Sequence, residues 1–191
     1  PINLARFNSP AGMVFDATGN LFVIDGFNHA IRKIDLAGNV TTFAGNGTAG
    51  SQDGLGAAAQ FSLPWSLGIG AAGNLYVPDR SNSILRKVDP TGNVTTIAGT
   101  GLPGFLDGPA ASAQFSNPID IVVGANGTLY VSDKGNNRIR AFSPPVASGC
   151  DIDACVADSL QFTPTTTGAS YIWDFGDGNA STTENPKHVF S

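Results

Sequence analysis

Residues 9–34 read SPAGMVFDATGNLFVIDGFNHAIRKI, and this stretch determines the fold because it recurs twice at a fixed interval. The later copies are LPWSLGIGAAGNLYVPDRSNSILRKV at 63–88 and NPIDIVVGANGTLYVSDKGNNRIRAF at 117–142. A direct comparison of residues 7–60 with residues 61–114 finds 26 identical positions among 54. Such self-similarity identifies a duplicated structural unit.

Within each copy, short apolar runs alternate with turn residues. The runs VFDA, LFVID, AIRKI and VTTFA of the first copy predict four antiparallel strands. Gly19 and Gly38, each followed by Asn, occupy positions where tight turns require a positive φ. One such sheet cannot bury both of its faces, so neighbouring sheets must stack on it. Four strands per repeat, stacked radially, is the β-propeller arrangement.

The three copies resemble NHL repeats, whose pattern is P-x-G-apolar, then GN-apolar-YV-x-D, then N-x-x-I-R. The resemblance covers about residues 7–143, and the third copy departs from it at Thr128, where the other copies have Asn. The resemblance implies an all-β fold, a partial β-propeller of four-stranded antiparallel blades.

Three polar positions recur around the turn between the second and third strands. We interpret them as an ion pair and an Asn-stabilised turn, in preference to a ligand site. The positions are Asp25, Asn28 and Arg32, then Asp79, Asn82 and Arg86, then Asp133, Asn136 and Arg140.

The number of repeats is below the 4 to 8 blades with which propellers usually close. The chain holds two complete repeats and most of a third, and its first residues align with the end of a preceding unit. An open arc would expose apolar blade faces. We therefore expect further blades, either from a longer polypeptide or from several copies that assemble into a ring.

A second domain follows the propeller region, which we place at residues 1–143. Residues 144–158 are interpreted as a linker, and YIWDFGDGNASTTENPKHVFS at 171–191 resembles the PKD domain, an immunoglobulin-like β-sandwich of surface and secreted proteins. In that resemblance Trp173 is a core residue, Asp174 and Asp177 brace a turn, and His188 is structural. Because the chain ends before the strand that continues this family's pattern, we expect an incomplete β-sandwich in residues 159–191.

The linker contains both cysteines, Cys150 and Cys155. A zinc site requires four ligands, and the only histidines, His29 and His188, lie far away in sequence. A short-loop disulfide between the two cysteines is the favoured interpretation, and it would indicate an oxidising, extracytoplasmic compartment.

Composition excludes some classes of function. The formal net charge is −5 with only ten Lys and Arg residues, which argues against nucleic-acid binding because phosphate neutralisation needs clustered cations. No apolar run approaches the roughly 20 residues of a membrane-spanning helix. GNGTAG at 45–50 and GTGLPG at 99–104 match a dinucleotide motif, but no helix pattern follows either string, so we interpret these glycines as turn formers.

The glycine strings open two long connections between repeats: the first connection (residues 46–60) and the second connection (residues 100–114). Loops of this length are often functional, and in a propeller we expect them to lie on one rim of the central channel. The candidate binding residues are Asp53, Asp107, Leu102, Phe105 and Leu106. No cofactor is predicted; Ca²⁺ at the two aspartates is the alternative to a carboxylate that stabilises a turn.

The favoured function is a non-catalytic binding or display module of a large secreted or cell-surface bacterial protein, with a protein or glycan partner. One alternative, drawn from the resemblance, is a propeller lyase or lactonase whose metal ligands lie in other blades. His29 is the only histidine of the repeats, they contain no Glu, and the first strands offer only Asp16 and Asp120. The other alternative is a structural spacer in a cell-surface or fibre assembly.

Overall fold

The computed structural model describes residues 5–142 and, by their backbone, four two-residue strands further along the chain. The chain divides into two compact units, residues 1–144 and 145–191. The strands of the first unit are β1 (Pro10–Phe15), β2 (Leu21–Asp25), β3 (Ala30–Ile34), β4 (Val40–Ala44), β5 (Gly54–Leu55), β6 (Gly68–Ile69), β7 (Leu75–Asp79), β8 (Ile84–Val88), β9 (Asn93–Ala98), β10 (Pro118–Val123), β11 (Leu129–Asp133) and β12 (Arg138–Phe142). Short 3-10 turns lie at Gly26–Asn28, Gly56–Ala58, Arg80–Asn82 and Lys134–Asn136.

These strands form one antiparallel sheet per repeat. Blade 1 has the order β1-β2-β3-β4, blade 2 has β6-β7-β8-β9, and blade 3 has β10-β11-β12 in the described residues. Equivalent residues pair in each blade: Val23 faces Arg32, Val77 faces Arg86, and Val131 faces Arg140. The predicted meander of four antiparallel strands is confirmed in the two complete repeats.

The first connection runs along the outer side of blade 2. Its residues Gly54 and Leu55 form β5, which pairs with the outermost strand β9, so the sheet of blade 2 gains a fifth strand. The expected position on the rim of the central channel is wrong for this part of the first connection. The physical reason is that the outermost strand of a blade has an unpaired edge, which the connection covers.

Two apolar clusters lie between the blades. The first joins Phe22 and Ile31 of blade 1 to Phe61 and its neighbours in blade 2. The second joins Tyr76 and Leu85 of blade 2 to Phe115 and its neighbours in blade 3. Blade 2 is therefore buried on both faces, as the stacking of amphipathic sheets requires.

Gly45 and Gly99 mark the turns into the two connections. Both have positive φ, of 96° and 102°. A Cβ at Gly45 would lie 2.4 Å from the carbonyl oxygen of His29, and one at Gly99 would lie 2.8 Å from that of Ser83. The first glycine of each apparent dinucleotide motif is thus required by backbone conformation and by close packing on the residue that ends the preceding 3-10 turn.

In the second unit the structure describes only β13 (Leu160–Gln161), β14 (Trp173–Asp174), β15 (Ala180–Ser181) and β16 (Lys187–His188). β13 pairs with β16 and β14 pairs with β15, both antiparallel. The predicted linker at 144–158, the Cys150–Cys155 disulfide and the incomplete sandwich at 159–191 otherwise lie outside the described residues.

Candidate functional site

Each blade contains the same buried carboxylate at the end of its second strand. In blade 2, Asp79 Oδ1 accepts a hydrogen bond from the Ser62 N–H at 2.7 Å, and Oδ2 accepts from Asn82 Nδ2 at 2.8 Å and from Arg86 Nη1 at 2.9 Å. The equivalent contacts of the other two blades form around Asp25 and Asp133. The structure therefore brings the recurring Asp, Asn and Arg together, in an arrangement that braces the turn and the start of the blade.

Arg86 extends this network into the first connection. Its side chain is fully buried; Nη1 also donates to the Gln60 carbonyl, and Nη2 donates to the Gln52 carbonyl and to Asp53 Oδ1 at 2.7 Å. The guanidinium carbon lies 5.2 Å from the centre of the Phe61 ring. A planar guanidinium can make these bonds together because its donors form a rigid fork. One side chain thus joins the blade to the connection that leads into it.

Arg140 repeats this geometry in blade 3. Its Nη2 donates to the Leu106 carbonyl at 2.9 Å and lies 2.5 Å from Asp107 Oδ1, while Nη1 contacts Asp133 and the Gln114 carbonyl. Arg32 of blade 1 differs, because its Nε contacts Asp25 and its Nη1 donates to the Thr42 hydroxyl. The side chain of Arg32 is also one quarter exposed.

Burial dominates the electrostatics of this network. The loss of hydration raises the pKa of Asp79 to about 6, although the hydrogen bonds from Ser62, Asn82 and Arg86 oppose the shift. A second carboxylate, Asp53, also faces Arg86. The guanidinium therefore compensates two acidic groups, one fully buried and one half exposed.

Asp53 and Asp107, the candidate calcium ligands, both contact protein donors. Asp53 Oδ1 accepts from Arg86 and from the Thr96 hydroxyl, and Oδ2 accepts from the Thr96 N–H at 3.0 Å. Asp107 contacts Arg140, and its side chain is 72% exposed. Because each carboxylate contacts a guanidinium of the protein, a structural role is favoured for both Asp53 and Asp107. That either residue binds a ligand stays a prediction.

The second connection exposes three apolar side chains. Leu102, Phe105 and Leu106 are 65%, 45% and 49% exposed. Their equivalents in the first connection are the polar residues Thr48, Ser51 and Gln52. At these three positions the exposed apolar character is thus specific to the second connection, whereas the first connection exposes one large apolar side chain elsewhere, Leu55, at 60%.

The backbone of the two connections is held in the same way. Gly50 and Gly104 donate to the carbonyls of Phe61 and Phe115, and the Gln60 and Gln114 N–H groups donate to the carbonyls of residues 52 and 106. Because both connections fold alike with different side chains, folding does not explain the apolar residues at 102, 105 and 106.

An open groove of about 270 Å³ lies beside this apolar surface, along the edge of β12 whose equivalents in blades 1 and 2 pair with a fourth strand. It is lined by Phe105 and Asp107 of the second connection and by residues 138–141 of β12. The guanidinium of Arg138 lies 4.2 Å from the centre of the Phe105 ring, and that of Arg140 lies 5.2 Å from it. Both cations are close enough to the Phe105 ring for a cation–π interaction.

Sequence reasoning missed Trp65 as an exposed aromatic side chain that contacts a cation. Its ring lies 5.4 Å from the guanidinium of Arg80, whose Nε donates to Asn117 Oδ1 at 2.9 Å. Trp65 is 40% exposed. The signal that would have found it is a departure from the repeat, because the equivalent residues are Ala11 and Ile119.

The remaining candidates have local partners. His29 Nδ1 accepts a hydrogen bond from the Leu63 N–H, and Asp120 accepts one from the Ser66 hydroxyl at 2.5 Å. Asp16 accepts bonds from Thr18 and Asn20, and the Asn20 side chain is the main cause that lowers the pKa of Asp16 to about 2. None of these contacts brings His29, Asp16 and Asp120 into one site.

The described residues contain neither a cluster of metal-binding side chains nor a long apolar helix. Among residues 5–142 and the four short strands, no three or more His, Cys, Asp or Glu side chains are placed to hold a metal ion. The same part of the chain contains no helix long and apolar enough to cross a membrane.

Comparison with protein families supports the repeat assignment. Residues 115–142 match the family described as NHL repeat, and residues 143–191 match the family described as PKD domain.

Two curated relatives match the propeller region. The Arabidopsis thaliana protein SUPPRESSOR OF QUENCHING 1, chloroplastic, is 35% identical over 129 residues, which cover 62% of this chain and 12% of the relative. The Bos taurus NHL repeat-containing protein 2 is 31% identical over 151 residues, which cover 71% of this chain and 21% of the relative. The chain thus spans no more than about a fifth of the length of either relative.

Two solved structures from Bacteroides thetaiotaomicron share the fold. A protein of unknown function superposes with a TM-score of 0.65 at 27% identity, covering 70% of this chain and 34% of that one. A protein described as an auxiliary nutrient binding protein superposes with a TM-score of 0.61 at 26% identity, covering 68% of this chain and 36% of that one. With the repeat match and the antiparallel blades, these likenesses show that this chain has an NHL-type, propeller-like all-β fold.

Proposed function

We propose that the chain is part of a non-catalytic binding protein and that the second connection contacts a protein partner. The observation that carries this proposal is the contrast between the two connections. They share their backbone hydrogen bonds, but the second one exposes three large apolar side chains, Leu102, Phe105 and Leu106, whereas the first exposes only Leu55. Exposed apolar side chains that folding does not require are typical of interaction sites.

The second connection is also well suited to binding because it is held in place before any partner arrives. Arg140 bonds the Leu106 carbonyl and Asp107, and the Phe105 ring contacts two guanidinium groups. A surface that is already ordered loses less conformational entropy on binding. Aromatic and Arg side chains are also enriched among the residues that dominate protein interfaces.

We further propose that the complete protein is secreted or displayed on a bacterial cell surface. Two findings support this location: the PKD match of residues 143–191 and the likeness to a Bacteroides auxiliary nutrient binding protein. Fractionation of the producing cells, with detection of the native polypeptide in the medium or at the surface, tests it. Recovery from the cytoplasm alone would contradict the location.

The chain provides its own control for the binding test. The variant L102T/F105S/L106Q places the residues of the first connection on the second, and it should fold normally because the first connection already uses them. A photo-crosslinker at residue 102 of the full-length protein identifies the partner, and calorimetry then compares its affinity for the two forms. We expect at least a tenfold loss for the variant, equivalent to about 1.4 kcal/mol.

A second variant controls for the general effect of removing an exposed apolar group. Leu36 is 80% exposed on the turn between β3 and β4 and lies outside both connections. L36S should leave the affinity unchanged. Unchanged affinity in L102T/F105S/L106Q, or a crosslinked product that is a glycan, would overturn the proposal of a protein partner at this surface.

A further inference from the structure

Trp65 is an exposed aromatic side chain that lies between neighbouring blades. Its carbonyl accepts a hydrogen bond from the Gly12 N–H of blade 1 at 2.9 Å, and its ring lies 5.4 Å from the guanidinium of Arg80. Arg80 Nε donates in turn to Asn117 Oδ1 at 2.9 Å, directly before the first strand of blade 3. The ring remains 40% exposed although the blades on both sides of it are present.

Three departures from the repeat coincide here, at Trp65, Arg80 and Asn117, which we call the Trp65 cluster. In the other repeats their places are taken by Ala11 and Ile119, by Gly26 and Lys134, and by Ser9 and Leu63. None of these residues combines an aromatic ring with a guanidinium. Because the other blades form the same antiparallel order without them, the fold does not require the Trp65 cluster.

The available polar atoms of the Trp65 cluster are hydrogen-bond donors. Within residues 5–142, Arg80 forms no ion pair and bonds only through Nε, so Nη1 and Nη2 are available, and so is Nδ2 of Asn117. Asp120, close to Asn117 in sequence, accepts bonds from the Ser66 hydroxyl and from a backbone N–H, and none from Arg80. One cation with additional N–H donors suits a ligand that carries a negative charge and several acceptor oxygens.

We propose that the Trp65 cluster binds an acidic saccharide, with one hexuronate ring on Trp65 and its carboxylate on Arg80. A pyranose ring has a face of C–H groups, which buries apolar area when it packs on an indole ring. Nη1 and Nη2 of a guanidinium match the two oxygens of a carboxylate. Asn117 Nδ2 then donates to a hydroxyl or ring oxygen of the same sugar unit.

Two features favour a saccharide over an acidic peptide. The Trp65 cluster has one flat ring and one cation beside it, which corresponds in size and charge to a single hexuronate unit. The bond from Arg80 Nε to Asn117 orients the guanidinium before the ligand arrives, so less conformational entropy is lost on binding. This site is separate from the second connection, to which the proposed function assigns a protein partner.

Titration calorimetry of the full chain tests the proposal with trisaccharides of galacturonate, glucuronate and mannuronate and with their methyl esters, which keep the sugar ring but remove the charge. We expect at least one acid to bind about fivefold more tightly than its ester. R80G should remove this preference, because it removes the cation. W65A should weaken the acid and the ester alike by about tenfold, because stacking does not depend on the charge.

Both variants should keep the circular dichroism of the parent, since blade 1 already has Gly26 and Ala11 at these positions. A measurement on the parent chain needs no variant: the NMR signal of the Trp65 indole N–H should shift when the acid is added. L102T/F105S/L106Q is the matched control, because it removes another exposed aromatic ring beside a guanidinium. It should bind the trisaccharide as the parent does.

Several results would overturn the proposal. None of the three acids could bind, or the acids and their esters could bind equally well. R80G could keep the preference for the acid, or the matched control could lose binding, which would place the saccharide at the second connection. A polyglutamate peptide could bind more tightly than every trisaccharide and depend on Trp65 and Arg80, which would assign the Trp65 cluster to an acidic protein segment. None of these results bears on the crosslinking experiment at residue 102.

Discussion

Arg86 Nη2 lies 2.7 Å from Asp53 Oδ1, which joins a buried arginine of blade 2 to the connection that leads into that blade. The same guanidinium contacts Asp79 through Nη1. One unit is therefore formed by three residues: Asp79 at the end of β7, Arg86 on the next strand and Asp53 on the first connection. Its repetition with Asp107, Asp133 and Arg140 in blade 3 indicates that this unit sets the path of each connection.

Removal of the buried arginine should strongly destabilise the protein. R86M leaves the carboxylate of Asp79 buried without its cation, and loss of one partner of a buried pair costs about 3–5 kcal/mol. Urea denaturation followed by fluorescence measures the free energy of unfolding. R32M is the matched control, because it also leaves a buried carboxylate, Asp25, without its cation, whereas Arg32 is partly exposed and bonds only Asp25 and Thr42 rather than a connection. If R86M and R32M lost the same free energy of unfolding, the bonds from Arg86 to the first connection would not contribute to stability.

The two connection aspartates should differ in their contribution to stability. D53N weakens a bond to a fully buried guanidinium, for which we expect a loss of about 1.5–3 kcal/mol. D107N affects a highly exposed carboxylate, for which we expect at most about 1 kcal/mol. The same denaturation experiment at low and high salt distinguishes the two ion pairs. Only the contribution of the exposed pair, Asp107 with Arg140, should fall clearly as salt is added. A larger loss of stability in D107N than in D53N would contradict this expectation.

The turn into each connection should tolerate only glycine. G45A combines a positive φ with a clash against the His29 carbonyl, so we expect a loss of more than about 2 kcal/mol. Gly38 also has a positive φ, but a Cβ there would meet nothing within 4 Å. G38A should therefore cost about 1 kcal/mol, the conformational penalty alone. The midpoints of thermal unfolding of the two variants test this, since G45A should be lowered more than G38A by the additional steric clash.

Repetition made much of the fold predictable, because the positions shared by three copies mark the strands, the turns and the recurring Asp, Asn and Arg. Asp25 and Arg32 are seven residues apart on adjacent strands, so a hairpin brings them together. The contact between Asp53 and Arg86 spans 33 residues and depends on how the first connection packs on blade 2. No local pattern specifies that packing, which is why the connection was wrongly expected on the channel rim.

The candidate surface was only partly predictable for a related reason. Leu102, Phe105 and Leu106 stood out as apolar residues in a long connection, so their exposure could be anticipated. The stacking of Arg138 on Phe105 could not, because the equivalent of Arg138 is Ile84 in blade 2. Trp65 was missed because attention to shared positions hides the places where one copy differs.

The carboxylate of Asp16 should titrate well below an ordinary aspartate. Hydrogen bonds, chiefly from the Asn20 side chain, lower the pKa of Asp16 to about 2 from the usual 3.8. A depressed folded pKa means that the charged form is favoured in the folded protein, so the stabilising effect is present above pH 3.8 and is lost as the pH falls through 2. N20A should raise the pKa towards 3.8, as measured by carboxyl-carbon NMR. N39A, which removes the corresponding bond to Asp35, should leave Asp16 unchanged. A pKa near 3.8 in the parent protein would contradict the hydrogen-bonded geometry of this turn.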